Sequence, residues 1–186
     1  RSNNVHVFIA DMDKHALNIS TFWKCLSIEE QKQAKRHYTS LLTSRYIISH
    51  GMLRHILSYY TKEPPQNLEF IHNKYGKPFL KNSNTQFNMS HSHNIVSYVV
   101  ASNYKVGIDI ECQDNSLDIR ELLDLIFTPQ EIIFFDSLPH NTKIETFYRI
   151  WTKKEALIKA IGKGLSYPIN TLDVSTILPS DKIILT

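Results

Sequence analysis

No proline interrupts residues 28–60, "IEEQKQAKRHYTSLLTSRYIISHGMLRHILSYY". A stretch this long without a breaker predicts one or two long helices, with Gly51 a tolerated interior glycine. A second helical pattern, "TKIETFYRIWTKKEALIKAIGKGL", ends at Gly162 and Gly164, residues suited to a helix C-cap. Around these patterns lie short strand-like runs: "VHVFIA" (5–10), "FNMSHS", "IVSYVVA" and "VGIDIE" (106–111). "NKYGKPFL" (73–80), with a turn at Gly76 and a breaker at Pro78, reads as a loop leading into extended chain. "LDIRELLDLIF" is amphipathic, "TPQEIIFFDSL" opens a further helix, and "YPINTLDVSTILPSDKIILT" is predicted to return to short strands. The order is strand–helix–strands, then strand–helices–strands, with a division near 101–105. No repeat is visible in the letters themselves, and the chain is expected to continue beyond both ends.

Composition narrows the class. The 186 residues are 42% apolar and 11% aromatic, which suits a packed globular chain rather than a disordered one. A net charge of +3 suits an anionic small molecule or an acidic partner and falls short of a nucleic-acid footprint. Cys25 and Cys112 lack metal spacing and are too few for a disulfide framework, so a reduced, cytoplasmic setting is expected. No apolar run approaches the roughly 18 residues that a membrane-spanning helix needs.

Each candidate for chemistry has a plain structural alternative. Asp109 and Glu111 leave one face of a strand, either as paired ligands or as a wet strand edge. On a helix Trp151, Glu155 and Lys159 form one stripe, and Glu155 with Lys159 also makes an ordinary surface ion pair worth about 0.2–0.5 kcal/mol. His91 and His93 share a strand face, but no third ligand stands at zinc-like spacing. In "FTPQE", Thr128, Pro129 and Glu131 have the spacing of a capping box.

Taken in order, Arg45 with "HGMLR", then "YGKPFL", "FNMSHS", "VGIDIE", "FTPQE" and "WTKKEALIKAIGKGLS" form an ordered set of blocks. With these blocks the chain resembles the surfactin-type 4′-phosphopantetheinyl transferases over nearly its whole length. "GIDIE" followed some forty residues later by "WTKKEALIKAIGKGL" is the most specific part of that resemblance.

The resemblance implies an α+β fold of two similar α/β halves related by a pseudo-twofold, each a small antiparallel sheet packed on a long helix. The halves would be residues 1–103 and 104–186, the second carrying the metal and catalytic motifs. It implies an Mg²⁺-dependent enzyme, a monomer, that moves 4′-phosphopantetheine from coenzyme A to a serine of an acyl or peptidyl carrier protein. The products would be the holo carrier of a fatty-acid, polyketide or peptide synthetase and 3′,5′-ADP. The alternative is a non-catalytic carrier or coenzyme A binder that retains the fold.

By the same resemblance Asp109, Glu111 and Glu155 would converge. Two carboxylates about 4 Å apart repel by roughly 4 kcal/mol at an effective dielectric near 20, which a divalent cation relieves. Lys159 would reach a phosphate oxygen, and Gly107 would let backbone approach closely. Arg45, Lys77, Ser90 and His91, together with Asp109 and Lys159, would bind coenzyme A. Glu131 is implied near the active site as a candidate base for the carrier serine, beside its capping role. Ile119, Leu122, Leu123 and Ile126 beside Arg120 would meet the carrier or simply pack inside. Glu30 and Gln33 stand where better-known members place lysines for the 3′-phosphate, which puts that grip in question.

Overall fold

The computed structural model describes residues 4–174. Three strands, β1 (Val5–Asp11), β4 (Thr85–Ser92) and β5 (Ile95–Ser102), form an antiparallel sheet in the order β1-β5-β4. β5 is central and buried along Val96–Ala101, as expected for the strand paired on both sides. A short hairpin of β2 (Phe70–His72) and β3 (Pro78–Leu80) lies beside it.

The proline-free stretch forms two helices, α2 (Ile28–Ala34) and α3 (Ser40–Thr61), preceded by α1 (Ile19–Cys25). The break has a local cause: the Thr39 side chain accepts the Leu42 N–H and starts a new helix. α3 runs 22 residues and ends where Lys62 turns left-handed at φ 63°. Gly51 is the point of contact with α1, since a Cβ there would fall 2.4 Å from Phe22 Cβ. Tyr98 donates its buried hydroxyl to the Ser49 carbonyl at 2.9 Å and fastens the sheet to α3. Ile48, Leu53, Leu57, Phe87, Val96 and Val100 lie in the resulting core.

The second half begins with α4 (Arg120–Ile126) and α5 (Pro129–Asp136), and continues into α6 (His140–Ile161). α6 also runs 22 residues and ends on a left-handed residue, Gly162 at φ 77°. Leu123, Phe127, Phe135, Phe147 and Ile150 form a separate core. Val99, Ala101 and Val106 make a small apolar contact near the crossing from one half to the other.

Two expectations need correction. "VGIDIE" carries no strand ladder; it runs alongside β4, held by side chains rather than by backbone pairing. No strand follows Ser102 among the described residues, and the described part of the predicted tail strands, 167–174, holds one 3-10 turn, Ile169–Thr171, after another at Gly164–Ser166. The remaining tail, from 175 onward, lies outside the described residues.

A repeat absent from the letters is present in the roles. Ser27 and Glu30 form a capping box at the start of α2, and Glu30 Oε2 pairs with buried Arg54 of α3 at 2.7 Å. Thr128 and Glu131 form a capping box at the start of α5, and Glu131 Oε2 pairs with buried Lys154 of α6 at 2.5 Å. Each half thus ties its short helix to its long helix by one glutamate that serves both jobs.

Candidate active site

The polar side of β4 builds one wall. Asn88 accepts the Ile108 N–H at 3.0 Å, Ser90 donates to Asp109 Oδ1 at 2.9 Å, and Ser92 donates to Glu111 Oε2 at 3.3 Å. These contacts step by two along a strand, so one face of β4 meets residues 108–111 in register. Ser92 Oγ also accepts the Cys112 N–H at 3.0 Å. The sequence reading passed over Asn88 and Ser92, although "FNMSHS" carries the alternation that marks them.

α6 builds the opposite wall. Gly107 sets the spacing, because a Cβ at that position would lie 1.9 Å from the Ala156 carbonyl oxygen and 2.4 Å from the Ala160 nitrogen. The close approach read from the sequence is therefore a direct backbone-to-helix contact. It brings Asp109 against Lys159, whose Nζ donates to Asp109 Oδ1 at 2.6 Å and to Ser90 Oγ at 2.9 Å.

Met89, Ser90, His91, Asp109, Glu111, Trp151, Glu155 and Lys159 line one concavity of about 310 Å³. The three acids share it, yet among the described residues no three His, Cys, Asp or Glu side chains gather as a ready metal cluster. Two features of this wall still suit a hard cation. Asp109 Oδ2 is buried with no hydrogen-bond partner. Burial first, then the charge of Asp109, pushes the Glu155 carboxyl above the usual carboxylate range. Oxygen-only donors with excess negative charge match Mg²⁺ rather than zinc. Desolvation and the Lys159 charge hold His91 below the ordinary histidine value.

A second concavity of about 320 Å³ is lined by residues of the same segment, Glu111 and Gln113 among them, and by Glu145, Tyr148, Arg149 and Thr152 of α6. Asp109 and Glu111 border both hollows.

Four expected residues are placed elsewhere or otherwise engaged. Arg45 lies outside the lining of the first concavity and grips Asp13 with two hydrogen bonds of 3.2 and 3.0 Å. Lys77, expected as a phosphate ligand, is engaged with backbone here: Nζ donates to the carbonyls of Val106, Lys159 and Ala160 at 2.9, 2.7 and 3.1 Å, which uses all three donors. Glu131, expected as a helix cap and a candidate base, takes up the capping role. It is 0% exposed, and its oxygens are taken by Lys154, the Thr128 N–H and the Val174 N–H. Glu30 faces Arg54 and the Ser27 N–H, so its carboxylate at the lysine position of the resemblance belongs to the fold.

Of the amphipathic stretch, Leu123 and Ile126 are core, Ile119 and Leu122 pack against it, and Arg120 pairs with Asp136 at the surface.

Two family models divide the chain between them. Residues 14–105 match the N-terminal region of 4′-phosphopantetheinyl transferases, and residues 105–185 match the 4′-phosphopantetheinyl transferase superfamily. Among curated relatives, the 4′-phosphopantetheinyl transferase HetI of Nostoc sp. is 32% identical over 89% of this chain and 71% of its own. The 4′-phosphopantetheinyl transferase gsp of Aneurinibacillus migulanus is 35% identical over 87% of this chain and 65% of its own. The 4′-phosphopantetheinyl transferase Sfp of Bacillus subtilis is 28% identical over 82% of this chain and 67% of its own. The chain thus spans about two thirds of the length of these relatives.

Proposed function

Because this chain belongs to the 4′-phosphopantetheinyl transferase superfamily, we propose that it transfers 4′-phosphopantetheine from coenzyme A to a serine of an apo carrier protein. The observation that carries the reading is the Lys159–Asp109–Ser90 cluster with Asp109 Oδ2 left unpaired beside it. A buried carboxylate oxygen without a donor is costly unless a cation or a ligand group completes it.

Asp109, Glu111 and Glu155 would hold Mg²⁺, which would neutralise the diphosphate and hold its oxygens. Lys159 has two N–H groups engaged and one available for a phosphate oxygen, where charge grows during transfer. The carrier serine oxygen forms the new bond to the pantetheine-side phosphorus, the bond to the departing 3′,5′-ADP breaks, and the serine proton leaves to a base. Glu131, sealed inside and paired with Lys154, is not placed to be that base, and Glu155 would serve as a ligand of the metal. Ser90 and His91 would contact the coenzyme phosphates from the β4 side, and Arg45 would join them on giving up Asp13.

We assign the coenzyme to the first concavity and the incoming serine to the second, with Asp109 and Glu111 common to both. Exposed Leu125, Ile133 and Phe134 offer an apolar face to a carrier protein. The repeated glutamate–cation pairs support a pseudo-twofold relation between halves 1–103 and 104–186.

The test is the mass of an apo carrier protein incubated with the chain, coenzyme A and Mg²⁺. A gain of one phosphopantetheine supports transfer; binding of carrier or coenzyme without any gain favours the non-catalytic reading. Asp109→Ala should lower transfer by about 10²-fold or more while the protein stays folded. A rate near wild type in that variant would remove Asp109 from the reaction.

A further inference from the structure

The turn between β2 and β3 is seated on the carboxyl end of α6. Asn73 Oδ1 accepts the N–H groups of Tyr75 and Lys77 at 2.8 and 2.9 Å, and Gly76 takes φ 88°, so the turn closes tightly. Asn73 Nδ2 donates to the Gly162 carbonyl at 2.7 Å. A Cβ at Gly162 would come 3.0 Å from Lys77 Cδ, which shows how closely the turn and the helix end meet.

The last carbonyls of a helix have no partner within it and form its negative pole. Here Lys77 supplies the partner: one ammonium bonds the Lys159 and Ala160 carbonyls and also the Val106 carbonyl. Val106 lies three residues before Asp109, and Lys159 itself carries the cation that meets Asp109. A single side chain from the N-terminal half therefore sets the distance between the two backbone segments that face each other across the site.

We propose that Lys77 is a positioning residue of the transfer reaction, acting through the backbone of Val106 and the last turn of α6 rather than by touching the coenzyme phosphates. The assignment rests on the transferase reading. Burial, and after it the charge of Lys105, lowers the Lys77 pKa to about 8. A methionine there keeps the stem and loses every donor; an arginine keeps charge and donors on a longer fork.

The experiment compares Lys77→Met, Lys77→Arg and Asn73→Ala with wild type in steady-state transfer, per folded molecule, together with amide exchange along α3 and α6. For Lys77→Met, kcat should fall on the order of tenfold or more, since a small misplacement of reacting groups is costly. The KM for coenzyme A should stay within about threefold, and amides at 159–162 should exchange faster while those of α3 do not change. Asn73→Ala should show the same pattern more weakly, and Lys77→Arg should recover part of the protection. A raised KM at intact kcat would make Lys77 a phosphate ligand and overturn the proposal. An unchanged kcat would overturn it as well, as would a fallen kcat with undisturbed exchange in the last turn of α6. If Lys77→Met does not fold, the other two variants decide between the same outcomes. Absence of transfer by wild type would refute the transferase reading instead, and the exchange data would still show whether Lys77 holds the helix end.

Discussion

Glu131 and Glu155 are both glutamates near the same long helix, and their surroundings separate their tasks. The capping box at Thr128 and Glu131 was legible in the letters "TPQE", because N-cap and N3 are three residues apart wherever they occur. The ion pair to Lys154 was not, since it joins two helices across the core. That pair changes what Glu131→Gln should do. Glutamine can still serve at N3, but Lys154, 0% exposed, would lose its directly paired carboxylate. Stability should fall by about 3 kcal/mol or more, read from denaturant unfolding, with transfer per folded molecule retained. Loss of transfer at unchanged stability would restore Glu131 as the base.

Between elements, contact distance decides more than propensity. "VGIDIE" has the composition of a strand, yet its donors and acceptors meet the side chains of Asn88, Ser90 and Ser92 instead of a neighbouring strand. The same period-2 register that would have made a ladder instead aims Asp109 and Glu111 into the site. Gly107 is the tightest point of this arrangement. Gly107→Ala should force residues 106–111 away from α6, costing about 1–3 kcal/mol as overpacking does. The larger effect should be on chemistry: transfer should drop by about 10²-fold because Asp109 moves away from Lys159. Normal activity in Gly107→Ala would mean that the spacing between segment and helix does not matter to the reaction.

Across the whole molecule, two separate cores each carry one glutamate tied to one buried cation. Breaking either tie should destabilise its own half. Glu30→Gln and Glu131→Gln should then add in the double variant to within about 0.5 kcal/mol, as distant sites do. A coupling of more than about 1 kcal/mol would show that the halves share one network. No helix among the described residues is long and apolar enough to cross a membrane, in keeping with the apolar runs of the sequence.

What the sequence determined by itself was local or ordered along the chain. Helix patterns, capping boxes and the terminal glycines depend on neighbours within a few residues, and the ordered blocks from Arg45 to "GKGLS" identified the family. What only the tertiary structure decided was which charges face each other. Lys77, Glu30 and Glu131 carry the same formal charges in a linear reading as Lys159, Asp109 and Glu155. Their partners lie far along the chain, so their number of free donors and acceptors is set by packing. A lysine with three carbonyls around it is a fastener, whereas one with a spare N–H beside an unpaired carboxylate oxygen can act on a ligand.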